Sequence, residues 1–135
     1  MPRVSCVGEV ALHVEDLDGS VRFYGELFAF KKIASDDRFC ALRVNNQQVF
    51  LLFRKGATLR PVATPGGTIP PHDGAGRVHI AFTISDADWA EWQNRLHARG
   101  IAIESEVKWG GAARSLYFRD PDGHLIELAT PDVWD

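Results

Sequence analysis

Three residues carry most of the chemistry this sequence offers: Glu9, His79 and Glu127. Glu127 stands in the apolar run Leu125-Ile126-Glu127-Leu128-Ala129, and a period of two sends its side chain to the face opposite Ile126 and Leu128. Glu9 shares a face with Ala11 and His13, away from Val10, Leu12 and Val14, and His79 opens the similar run Val78-His79-Ile80-Ala81-Phe82. Two carboxylates and an imidazole brought close together repel or lose hydration unless something positive joins them, and a divalent cation is the simplest partner. Three oxygen or nitrogen ligands that leave positions open are also what a catalytic metal requires. Two blander arrangements compete with this one. In the first Glu127 is an ordinary surface carboxylate, since charged side chains are mostly exposed; in the second His79 pairs with a carboxylate and no ion is involved.

The elements that must position these residues form a weak internal repeat. Glu9 to Asp16 aligns without gaps with His79 to Asp86, pairing Ala11 with Ala81, Val14 with Ile84 and Asp16 with Asp86, while Asp18 pairs with Asp88. In this register Glu9 and His79 are equivalent. Each strand leads into an acidic helix start, one helix carrying the stripe Val21, Tyr24, Leu27 and Phe28 and the other Trp89, Trp92 and Leu96. Strands are expected at Phe30–Ser35, Phe39–Val44 and Val49–Phe53, the last apolar and buried on both faces, and again at Val78–Ser85 and Ile101–Val107. A final hairpin runs from Ser115 to Ala129 around Asp120-Pro121-Asp122-Gly123, where Pro121 presets φ and Asp120 can accept from the turn backbone. Gly100 is expected to stop the second helix in the left-handed region. Each half therefore reads βαβββ, an α+β arrangement of two paired modules, duplicated from one unit. The modules span residues 4–55 and 77–131 of a single domain, 1–135, and residues 56–76 between them are rich in proline and glycine and read as a loop without regular structure. Packed edge to edge, the modules would form a cup-shaped sheet with Glu9, His79 and Glu127 on its inner face, and the first-module counterpart of Glu127 is expected near Phe50.

Composition narrows the partners. A net charge of −3 leaves no basic footprint for nucleic acid, and no apolar run approaches the ~20 residues of a membrane span. The start, Met1-Pro2-Arg3-Val4-Ser5-Cys6, lacks the apolar region of a secretory signal, and Cys6 and Cys40 fit a reducing cytoplasm better than a disulfide framework. The expected partner is a small molecule. A homodimer is also expected, because sheets of this kind need their edge strands covered.

These pieces resemble the vicinal oxygen chelate superfamily, which includes glyoxalase I, the extradiol dioxygenases, methylmalonyl-CoA epimerase, the fosfomycin-resistance transferases and the bleomycin-binding proteins. The resemblance rests on Leu12-His13-Val14-Glu15-Asp16-Leu17 with Phe23-Tyr24, on Val78-His79-Ile80-Ala81-Phe82, and on Leu116 to Leu128 around Asp-Pro-Asp-Gly. It implies paired βαβββ modules around a cup, with Glu9, His79 and Glu127 as ligands of a divalent ion: zinc, manganese, nickel, iron or magnesium. Glyoxalase I has a further carboxylate where Phe50 is expected here, and the dioxygenases have histidine where this chain has Glu9. Ser115 and Tyr117 resemble cup-facing residues of the fosfomycin transferases. A retained Glu/His/Glu set speaks against pure sequestration. Isomerase, lyase, transferase and dioxygenase chemistry all remain open, with non-catalytic capture of a small molecule or antibiotic as the alternative.

Other side chains could serve the same site. His72 on the proline/glycine loop has the intrinsic basicity of a general acid or base, and Glu127 is a second catalytic candidate. His13 shares the face of Glu9 and, with Phe50, Trp109, Arg114, Ser115 and Tyr117, makes up the expected substrate contacts. Arg114 and Trp109 suit an anionic or planar ligand. Arg119 is expected to brace the hairpin, and His97 and His124 to lie on the surface.

Overall fold

The computed structural model describes residues 1–135, which divide into two units, Met1–Ala75 and Gly76–Asp135. In the first unit, strand β1 (Glu9–Val14) leads into helix α1 (Leu17–Phe28), followed by β2 (Lys31–Ser35), β3 (Phe39–Arg43), β4 (Val49–Arg54), β5 (Val62–Thr64) and β6 (Gly67–Ile69). The Asp16 carboxylate accepts the Gly19 N–H at 3.0 Å, which caps α1. A Cβ at Gly19 would meet that carboxylate, which would then have to shift. The four main strands form one sheet in the order β1-β4-β3-β2, with β1 parallel to β4 and the other pairs antiparallel.

One face of this sheet packs on α1. Leu12, Val14, Leu42, Phe50 and Leu52 are buried there against Tyr24 and Leu27. The Phe50 ring meets Tyr24 edge-on at 4.8 Å between centroids. Cys40 is buried in the same layer, and burial pushes its thiol pKa up, while Cys6 is exposed and both are free. Val49–Phe53 was expected to be buried on both faces. Only Phe50 and Leu52 are fully buried, while Val49, Leu51 and Phe53 on the other face are half-buried. A second departure lies in residues 56–76, where β5 and β6 pair as an antiparallel hairpin, Val62 opposite Ile69. Prolines and glycines mask the short β-branched runs Val62-Ala63-Thr64 and Thr68-Ile69 in the sequence.

The second unit repeats the plan: β7 (His79–Thr83), a 3₁₀ turn at Asp86–Asp88, α2 (Trp89–Ala98), β8 (Ser105–Gly110), β9 (Ala113–Arg119) and β10 (Leu125–Ala129), closed by a 3₁₀ turn at Pro131–Trp134. Its sheet runs β7-β10-β9-β8, with β7 parallel to β10. Leu116, Phe118, Ile126 and Leu128 are buried on one face together with Trp89 and Leu96 of α2. Gly100, at φ 69°, ends the helix and donates its N–H to the His97 carbonyl at 3.0 Å. Strand β8 begins at Ser105, so the expected strand from Ile101 starts four residues late, although Glu104 already donates its N–H to the Tyr117 carbonyl at 2.8 Å. Arg119 bonds the Gly123 carbonyl at 3.0 Å and Glu104 at 3.1 Å across the hairpin.

Candidate metal and substrate site

The parallel pairings place the candidate residues. Glu9 is opposite Val49 and His79 is opposite Leu125, so each opens the strand that pairs in parallel with its unit's last long strand. Glu127 is opposite Ala81, whose equivalent, Ala11, is opposite Leu51. The first-unit counterpart of Glu127 is therefore Leu51, and the expectation at Phe50 is one residue off. A shift of one in a strand exchanges the faces, so Phe50 is a core residue against α1 and not a substrate contact.

In the second unit Glu127 is 8 % exposed, which removes the bland surface reading. Its one polar contact is with His79, Nε2 to Oε1 at 3.1 Å. The other His79 nitrogen, Nδ1, stands 2.9 Å from the Leu125 carbonyl oxygen, which can only accept, so Nδ1 carries a proton. A neutral His79 then turns the lone pair of Nε2 toward a carboxylate oxygen. Two acceptors at this distance attract only when a proton or a cation lies between them. A backbone carbonyl that holds the distal N–H is also the usual support of a metal-binding histidine. Ligand atoms ~2.1 Å from a small divalent ion stand ~3 Å apart when the bonds are at right angles, which matches the observed 3.1 Å. The donor set fits a divalent metal.

Beside this pair, Tyr117 is directly opposite Glu127 on β9. Trp109 Nε1–H donates to Ser115 Oγ at 2.9 Å, and the Ser115 hydroxyl donates to the Tyr117 oxygen at 3.2 Å. Tyr117 thus accepts from within the protein, and its own proton has no acceptor there. Ser115 is fully buried and Trp109 largely exposed.

Arg114 is not part of this group. It alternates with Ser115 and Tyr117, so it lies on the helix side, its guanidinium over the Trp89 ring at 4.3 Å and paired with Asp86 at 3.0 Å. It ties β9 to the start of α2, and a strand period of two applied to Ser115 would have shown this.

His124 is also displaced from its expected surface position. It is 2 % exposed, and its Nδ1 accepts the Val78 N–H at 3.0 Å, which fixes the start of β7 against β10. Asp120, Asp122 and His124 gather ligand atoms within 4.8 Å of one another. Asp120 Oδ1, however, accepts the N–H groups of Asp122 and His124, both at 2.9 Å, and the His124 nitrogen is engaged with Val78. Those atoms build the turn.

The first unit holds a cavity of about 530 Å³ along the half-buried face of β4, lined by Glu9, Ala11, Leu51 and Phe53, by Phe39 of β3 and Arg38 before it, and by Thr58, Arg60, Val62, Ile69, Pro70 and His72. Glu9 is exposed at its wall and has no partner in the protein. His72 also lines it, its ring 4.9 Å from Phe53, with no hydrogen bond to either ring nitrogen. His13 was expected to touch substrate. It is buried instead, outside the cavity lining, stacked on Phe53 at 5.7 Å. Its Nε2 lies 3.2 Å from Thr58 Oγ1, whose hydroxyl donates to the His72 carbonyl at 2.6 Å. Thr58 therefore accepts from His13 and holds the segment that bears His72. Thr58, Arg60 and the β5–β6 hairpin are the cavity residues that the sequence reading passed over.

Residues 7–128 match the model of the Glyoxalase/Bleomycin resistance protein/Dioxygenase superfamily. Among curated proteins, the chain is similar to metallothiol transferase FosB of Bacillus licheniformis, 28 % identical over 96 % of this chain and 77 % of that one. It is likewise similar to glutathione transferase FosA of Serratia marcescens, 30 % identical over 90 % of this chain and 78 % of that one. Among solved structures it superposes on lactoylglutathione lyase from Agrobacterium tumefaciens with a TM-score of 0.88, 29 % identity and 98 % of both chains covered.

Proposed function

The chain belongs to the glyoxalase/bleomycin resistance/dioxygenase superfamily and sits among its metal-dependent enzymes, and from that premise we propose that it acts on a small, thiol-derived or thiol-accepting substrate held through two adjacent oxygen atoms. The observation that carries this reading is the pair of His79 and Glu127, with Nδ1 locked by a carbonyl and Nε2 turned to a buried carboxylate. These two residues would hold the ion. Glu9, equivalent to His79 by strand register, is proposed as the third ligand. When bound, the ion polarises substrate oxygens and stabilises negative charge that develops on them.

The chain's own groups have separate tasks. The Tyr117 hydroxyl, held by Ser115 and through it by Trp109, donates to a substrate oxygen beside Glu127. His72, with both ring nitrogens uncommitted, takes or returns the proton of the reacting thiol or carbon acid. The relatives' printed names favour transferase or lyase chemistry, since glutathione appears in both a transferase and a lyase. They also weigh against the alternative of a non-catalytic antibiotic binder. We further propose that the working form is a homodimer.

Elemental analysis of protein purified without chelator tests the reading. Wild-type protein is expected to carry a divalent metal and Glu127→Gln to lose it. Thiol loss in the presence of fosfomycin then reports transferase activity, and formation of lactoylglutathione from glutathione and methylglyoxal reports lyase activity. Wild-type protein that binds none of the five candidate ions at micromolar concentration would overturn the proposal.

A further inference from the structure

We propose that the cavity of the first unit is a subsite for an extended organic anion, with an apolar body along β4 and a negatively charged end that meets Arg60 and Arg38. The proposal deepens the function above by naming the substrate class, and it rests on the proposed role of Glu9 as a ligand. Its volume of about 530 Å³ falls in the range of small-molecule sites, and such sites are lined mostly by apolar groups with a few convergent polar ones.

The strand register gives the cavity a direction. Glu9 is opposite Val49, whereas Phe39 and the buried His13 are both opposite Phe53. Val49 and Phe53 are four steps apart along the strand, ~13 Å at the usual rise. Arg38 precedes Phe39, and Arg60 follows the Thr58 that is bonded to His13, so both arginines stem from the end remote from Glu9. Between the ends the surface is Ala11, Leu51 and Phe53 on the sheet, with Val62, Ile69 and Pro70 facing them from the β5–β6 segment.

Charge sets the polarity of the ligand. Arg60 has no acceptor in the protein, while Arg38 is paired with Asp36 at 3.2 Å and keeps donors to spare. A guanidinium beside an apolar cavity calls for a carboxylate or a phosphonate, and Arg60 is the stronger site because nothing neutralises it. Ile69 is 52 % exposed although it lines the cavity, so a ligand body would remove apolar surface from water on the hairpin. The hairpin therefore selects the body and the arginines select the charge.

Isothermal titration calorimetry with 4-phenylbutyrate, 4-phenylbutyramide and acetate tests both parts. Saturable binding of the phenylbutyrate is expected, with the amide and acetate each weaker by about tenfold or more, the size of one lost charged hydrogen bond or one unburied ring. Arg60→Gln is expected to reduce phenylbutyrate affinity by a similar factor and to leave the amide unchanged. Equal affinity of acid and amide, indifference to Arg60→Gln, or no saturable binding would each overturn the proposal. A protein that binds the anion but no metal would thus fail the functional reading alone, and one that binds metal but no anion would fail this inference alone.

Discussion

Single residues decide which face of a strand does chemistry. Phe50 and Leu51 are adjacent, yet one is core and the other cavity wall. Phe50→Ala should cost about 3–5 kcal/mol in urea unfolding, as removal of a buried aromatic side chain does. Leu51→Ala should cost less and should instead weaken binding of the phenyl group. Equal stability losses would mean that both faces are equally packed. The sequence could not separate them, because Val49 to Phe53 is apolar throughout and carries no period of two. Glu127 was legible for the opposite reason, as one carboxylate interrupts an apolar alternation. Asp36 supplies a pH prediction at the same scale. Burial would raise its pKa, but hydrogen bonds from the Arg38 and Phe39 backbone and from the Arg38 side chain, together with the Arg38 charge, outweigh that and hold it below the ordinary 3.8. A lowered carboxylate contributes stability above its unfolded pKa and loses it as pH falls through the folded value. Wild type should therefore exceed Asp36→Asn in urea midpoint at neutral pH by a small, constant margin, since the side chain is well exposed. The margin should shrink below pH 3.8 and disappear at stronger acid. A margin that grows on acidification would contradict the assigned sign.

At the scale of elements, the informative part is the segment between the two βαβββ plans. It is tied to β1 by His13, Thr58 and His72, with the Thr58 carbonyl also accepting the His72 N–H at 2.9 Å. Gly74 closes this arrangement, because its α-carbon lies against the His13 ring and an added Cβ would run into Nδ1. His13 is buried and stacked on Phe53, so it has little room to yield. Gly74→Ala should destabilise the protein by ~1–3 kcal/mol, the range for overpacking. It should also speed hydrogen exchange at the His72 amide while leaving β9 and β10 unchanged. Uniform acceleration across both units would instead indicate a global loss of stability. The repeated elements were legible because each combines an alternating strand, an acidic cap and a helical stripe. The hairpin was not, since three-residue strands between prolines and glycines fall below the length at which periodicity has meaning. The role of His13 was hidden as well, because its partner Thr58 lies 45 residues away.

At the scale of the whole molecule, the duplication sets the number of strand edges that must be managed. Each four-stranded sheet ends on two strands with a single neighbour, β1 and β2 in the first unit, β7 and β8 in the second. Unpaired edges with apolar side chains invite pairing, and natural sheets charge them or cover them. Here β2 carries Lys31 and Lys32, and β8 carries Glu106 and Lys108, which protects one edge of each sheet. At the other two edges apolar side chains are partly exposed: Val10 is 38 % exposed on β1, and Val78, just before β7, is 40 % exposed. These two edges also bear Glu9 and His79, so in the homodimer proposed above their cover and the proposed metal site would be linked requirements. Multi-angle light scattering is expected to give a mass near twice the 15.0 kDa of one chain. Val10→Lys should lower the dimer fraction at micromolar concentration, because a buried lysine on that edge would lose its hydration, and metal content should fall with it. A wild-type mass of one chain with full metal content would show that a single copy satisfies both requirements, and the homodimer would then be discarded while the metal reading stands.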